Sequence, residues 1–171
     1  MKPRAAYLLA LALASAIALA ACGGGEPATT RPASQVAAES ESTEPTGPFP
    51  VALIGVADLP GFGPALVDSA RKTLYRFSRD TRGSGESACG KACARIWRPV
   101  RSGGKPRTEQ GAEESLAGTI ERADGLIQAT YDGWPLYTNI REYGERTARI
   151  GHSAFGGRWF ALSPDGESLA P

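Results

Sequence analysis

Histidine is nearly missing from this chain: His152 is the only one among 171 residues. That scarcity argues against a histidine-based hydrolase, which needs an imidazole set between a nucleophile and an orienting acid. A Walker loop, a Cys-x-x-Cys-His haem attachment site and a His-Glu-x-x-His zinc motif are missing too. Catalysis is therefore not indicated, and no cofactor is expected. An excess of charge is also lacking. Lys and Arg number 19 against 18 Asp and Glu, so there is no electrostatic case for a nucleic-acid partner. Gly and Pro, by contrast, are plentiful at 21 and 13 residues. Such punctuation predicts many turns and short elements, which suit strands better than long helices.

Long apolar runs are missing except for one, from Ala5 to Ala21 behind the cations Lys2 and Arg4. Two cations, an apolar stretch and small closing residues form the pattern of a secretory signal over residues 1–21. Its length is at the lower edge of what spans a bilayer. Leu19-Ala20-Ala21-Cys22 resembles the lipobox of bacterial lipoproteins, in which the cysteine thiol is the nucleophile that receives a diacylglyceryl group. The resemblance implies that Cys22 is lipidated, becomes the first mature residue and anchors the protein to a membrane outside the cytoplasm. Acyl chains contribute about 0.8 kcal/mol per buried methylene, enough in two or three copies for a stable anchor. Gly23 follows, with no Asp beside the anchor, so a two-membrane host would sort the protein to its outer membrane.

Removal of Lys2 and Arg4 leaves 17 basic and 18 acidic side chains in the mature chain. Residues 22–50 are rich in Gly, Pro, Ser, Thr, Ala and Glu, with Phe49 the only aromatic. This composition buries too little apolar surface to offset its ordering entropy and reads as a disordered tether. As a soft coil it spans roughly 30 Å.

The domain is expected over residues 51–171. Thr73, Tyr75 and Phe77 alternate onto one strand face behind Ala65-Leu66-Val67, a hairpin pattern. Leu116 to Arg122 and Leu126 to Tyr131 read as strands around the turn Ala123-Asp124-Gly125. Asp132-Gly133 is a strong turn signal before Trp134-Pro135-Leu136-Tyr137. Arg158 to Leu162 reads as the last strand, closed by Ser163-Pro164-Asp165-Gly166, and only Ala88 to Trp97 looks helical. Leu74-Tyr75 and Leu136-Tyr137 lie in like surroundings 62 residues apart, a spacing that suggests a duplicated half-domain. The fold expected is mainly β, a small duplicated meander with one short helix.

Tyr75-Arg76-Phe77-Ser78-Arg79-Asp80 resembles the Tyr-x-aromatic-x-x-Asp motif of a family of bacterial lipoproteins known as secreted repeats of unknown function. Cys89-x-x-x-Cys93-Ala94-x-x-Trp97-x-Pro99, Arg122-Ala123-Asp124-Gly125, Tyr131-Asp132-Gly133-Trp134-Pro135-Leu136-Tyr137 and Gly157-Arg158-Trp159 follow that family in order over about residues 60–165. The second copy departs from the motif, with Asn139 in the aromatic position and Glu142 for Asp.

Two uses stand open for the motif residues. Tyr75 and Phe77 fill a β core while Asp80 accepts hydrogen bonds from turn amides; or Tyr75, Asp80 and a partner in the second copy line a polar groove. Trp97, Trp134 and Trp159 divide likewise between packing and a stacking platform. Cys89 and Cys93, left as a pair in an oxidising compartment, are expected to form a disulfide. A thiol–disulfide switch beside Lys91 is a second use. The third is copper: Cys-x-x-x-Cys with His152 resembles the set of Sco-type copper chaperones, although their fold needs alternating strands and helices. Arg98, Arg101, Lys105 and Arg107 read as a solvated basic loop. The functions in view are thus a membrane-anchored envelope module that binds an envelope protein or small ligand, or a redox or copper-handling accessory.

Overall fold

The dipeptide Asp132-Gly133 shows how locally the chain is punctuated. Both residues take positive φ, 50° and 75°, as a tight hairpin turn demands. The turn joins β7 (Ile127–Tyr131) to β8 (Trp134–Pro135), and β6 (Ala117–Glu121) completes that antiparallel sheet. A second sheet holds β1 (Leu53–Leu59) between antiparallel β2 (Gly63–Val67) and a short parallel strand, β5 (Arg107–Thr108). The computed structural model describes residues 48–109, 111–143 and 148–171. Cys22, the signal and most of the expected tether lie outside these residues.

The central sheet joins the two copies. Its order is β10 (His152–Ala154), β11 (Gly157–Leu162), β3 (Tyr75–Phe77), β9 (Tyr137–Asn139) and β4 (Trp97–Pro99), with β12 (Ser168–Leu169) also paired to β11. From β11 to β4, strands of the second copy alternate with strands of the first. The register repeats itself with the 62-residue offset. Trp159 lies opposite Phe77 and Ala161 opposite Tyr75; in the other pair Trp97 lies opposite Asn139 and Pro99 opposite Tyr137. Tyr75 and Tyr137 face each other at the centre. Even the flanking bonds correspond, since Leu162 N–H donates to Leu74 C=O while Val100 N–H donates to Leu136 C=O. The two copies are related by a local pseudo-two-fold through the Tyr75–Tyr137 pair.

Period-two alternation sends side chains into two cores. Tyr75, Phe77, Trp97, Tyr137, Trp159 and Ala161 pack with Leu59, Ala65 and both domain cysteines. Their chain neighbours Leu74, Leu136 and Leu162 go to the other core, with Ile54, Leu66, Ala129 and Tyr131. A buried Leu or aromatic side chain contributes about 1.5–3 kcal/mol, and each core draws side chains from both copies.

Two sequence expectations need correction. The helix over Ala88–Trp97 shrinks to α1 (Lys91–Ala94), because Trp97 starts β4 and its backbone pairs with β9. Arg158–Leu162 is not the last strand. The Asp165-Gly166 turn, with Gly166 at φ 84°, returns the chain so that Ser168 and Leu169 pair back on β11.

Candidate functional site

The motif residues converge on the pseudo-two-fold. Trp97 and Trp159, each on an inward-facing strand position, stack with ring centroids 4.0 Å apart and planes 1° from parallel. Tyr75 meets Trp97 edge-on at 5.1 Å, and Tyr137 meets Trp159 edge-on at the same distance. Offset and edge-to-face contacts of this kind add about 0.5–1.5 kcal/mol each beyond burial. All four rings are fully buried. Neither indole N–H has a hydrogen-bond partner among the described residues.

Symmetry breaks on the outer flanks of the stack. Phe77 lies parallel to Trp159 at 4.2 Å. Asn139 occupies the matching place beside Trp97, and its Oδ1 turns to the Arg141 amide instead. The exposed His152 ring stands at 6.1 Å from Trp97.

The acids cross between copies. Asp80, at the turn that ends β3, takes the Ala88 amide at 2.7 Å and the Tyr137 hydroxyl at 2.8 Å. That use spends the only Tyr137 proton, so Ser87 Oγ must donate to Tyr137 at 2.7 Å. Ser87 in turn accepts from Arg122, whose guanidinium also reaches Gln128 Oε1 at 2.6 Å and the Cys89 carbonyl at 2.7 Å. Burial raises the Asp80 pKa despite the opposing bonds from Ala88 and Tyr137 and the nearby Arg122 and Arg76. Burial, then the Asp80 charge, pushes the Tyr137 hydroxyl well above the usual tyrosine value.

The other copy repeats this arrangement in weaker form. Glu142, fully buried, stands beside the Tyr75 hydroxyl, and burial followed by the Glu142 charge raises that hydroxyl's pKa. Its Oε1 accepts the Thr73 amide at 3.1 Å, while Oε2 has no hydrogen-bond partner among the described residues. Burial raises the Glu142 pKa as well. The substitution of Glu for Asp thus keeps the acid in place and loosens its bonding.

Cys89 and Cys93 form a disulfide with Cα atoms 5.2 Å apart. The pair is buried at 0% and 5% exposure, which leaves little room for an attacking thiolate. The set Cys89, Cys93 and His152 is not assembled as a copper site. Among the described residues no three His, Cys, Asp or Glu side chains stand where they could share a metal ion. Tyr131 ties two loops together, accepting the Glu113 amide at 2.7 Å and donating to the Pro164 carbonyl at 2.6 Å. Trp134 lies under the Arg76 guanidinium at 4.4 Å, on the opposite face of the sheet from the stack.

Sequence reasoning missed Ser87, Arg122 and Gln128 as a buried polar chain. Arg122 carried one usable signal, a lone cation at the end of a strand ahead of a Gly turn, yet nothing local shows that it points inward.

The geometry defines a duplicated, cross-braced β domain whose motif residues form its interior. A sequence model of the family described as a secreted repeat of unknown function matches residues 60–101 and again 118–162. The chain belongs to that family, which makes the domain an extracytoplasmic module. No curated protein and no solved structure matches it.

Proposed function

We propose that this protein is a lipid-anchored cell-envelope module that binds or scaffolds a partner. In this reading residues 1–21 are cleaved, Cys22 carries the lipid and residues 22–50 tether a domain that begins at residue 51. One observation carries the binding role: the side chains with the most chemical potential are spent inside. Tyr75, Tyr137, Asp80, Glu142, Cys89 and Cys93 are all at or below 6% exposure, bracing one copy against the other. What remains for contact is a rigid surface held by a disulfide, an aromatic and a mainly aliphatic core, and paired acids, as suits a presenting module.

Fractionation of cells that express the full chain tests the anchor. Wild-type protein should partition with membranes and yield an acylated N-terminal peptide by mass spectrometry. Cys22→Ala should be unacylated and keep its signal peptide. Acyl-free wild-type protein would refute the anchor. Capture from solubilised envelope by the anchored wild-type chain should recover a defined partner or ligand; a clean preparation with neither would count against the binding role.

A further inference from the structure

The four exposed cations Lys91, Arg95, Arg98 and Arg101 lie on one stretch of chain that runs from α1 through β4. Lys91 sits on α1 between the bridged cysteines, Arg95 caps that helix, Arg98 is on β4, and Arg101 follows it. They line one open groove of about 780 Å³, with Ala94, Pro99, Leu126 and Thr138 among its other walls. None of the four is ion-paired within the described residues, in a chain whose charges otherwise nearly cancel. The only carboxylate in the lining, Asp124, has Arg122 Nε 3.6 Å away and is partly neutralised.

The groove is also stiff. The disulfide fixes the helix that carries Lys91 and Arg95. Arg98 is held on a strand paired with β9. Arg101 lies over the Phe49 ring at 5.0 Å. Little backbone freedom remains to be lost when an anion enters.

We infer that this groove binds a linear, phosphate-bearing polyanion. This deepens the binding role proposed above and is independent of the anchor. One small anion cannot meet four cations spread around such a volume, whereas a chain of anionic groups can meet them in turn. Three of the four are Arg, whose planar fork takes two oxygens at once. A tetrahedral phosphate directs oxygens to more than one wall of a groove; a planar carboxylate presents two in one plane.

The full-length protein in detergent, titrated with inorganic polyphosphate over a salt series, tests this. The wild type should bind, with affinity falling as salt rises. Arg95→Ala with Arg98→Ala should weaken binding at least tenfold. Lys105→Ala with Arg107→Ala removes the same charge outside the groove and should change it less than threefold. Thermal unfolding of both variants should match the wild type, because all four side chains are exposed. Equal losses in the two double variants, or no binding by the wild type, would overturn the proposal. So would poly-glutamate binding as tightly as polyphosphate, or phosphatidylglycerol vesicles binding through these cations when polyphosphate does not. Loss of polyphosphate binding leaves the Cys22 fractionation result untouched, so the two failures are distinguishable.

Discussion

Tyr137 donates its hydroxyl proton to Asp80 at 2.8 Å, across 57 residues of chain and from one repeat copy to the other. The bond makes the motif acid of the first copy a brace for the motif tyrosine of the second. Glu142 stands in the same relation to Tyr75 with fewer bonds.

The two acids should differ in mutational cost. Asp80→Ala strips the Ala88 amide and the Tyr137 hydroxyl of an acceptor, and an unsatisfied buried donor costs about 1–3 kcal/mol. Asp80→Asn keeps one acceptor oxygen and should recover much of that loss. Glu142→Ala should cost less than Asp80→Ala, because the Thr73 amide bond it releases is longer than either bond to Asp80. Urea unfolding of the three variants checks the order; a greater loss at Glu142 would contradict it.

The two buried acids should make the domain less stable as pH rises. Asp80 and Glu142 hold their protons more tightly when folded than when unfolded. Their contribution is therefore full below the ordinary carboxylate range and lost as pH climbs through their raised native values. Tyr75 and Tyr137 act in the same direction, their share lost as pH rises above the ordinary tyrosine value of about 10. Denaturation midpoints of Asp80→Asn with Glu142→Gln, compared with wild type, should lose the acid slope and keep the alkaline one. An unchanged acid slope would show that other groups set it.

The parallel indoles of Trp97 and Trp159 should be visible spectroscopically. Two transition dipoles at 4.0 Å couple, so the folded protein should show an exciton couplet in circular dichroism. Trp97→Phe or Trp159→Phe should abolish it while far-UV strand signal persists. Trp159→Ala removes the partner of three rings and should cost about 3–5 kcal/mol.

The disulfide should act as a staple. Its closed loop is short, so loss of the Cys89–Cys93 bond should cost only about 2 kcal/mol by chain entropy. Because both cysteines are buried, native lipidated protein in glutathione should expose no free thiol, and unfolding before reduction should expose two. Facile reduction of the native domain would revive the redox role for this pair.

Much of the domain was legible where the determinants are local. Asp132-Gly133 requires positive φ at both positions and marks its turn in any context. Thr73, Tyr75 and Phe77 share a face because strand geometry alternates side chains, and all three are buried. The 62-residue echo of Leu-Tyr announced the duplication. Its three-dimensional meaning was not legible, because nothing in the spacing says that like strands of the two copies exchange neighbours. The same gap hid the Asp80–Tyr137 bond. The basic loop shows the limit differently. Arg98 and Arg101 turn into a groove with Lys91 and Arg95, whereas Lys105 pairs with Glu114 and Arg107 sits on β5. Charge order along the chain cannot divide such a run. The short β12 was missed because two residues give no periodicity.

The alternation of copies in the central sheet makes each half the missing neighbour of the other. A chain cut in the connection after β5 would leave two fragments with complementary, unpaired strand edges, the condition for split-protein complementation. Recovery of the indole couplet on mixing should be second order, faster at higher fragment concentration, where the intact chain refolds at a rate independent of it. Covalent linkage between the copies thus supplies effective concentration in place of a dimer interface.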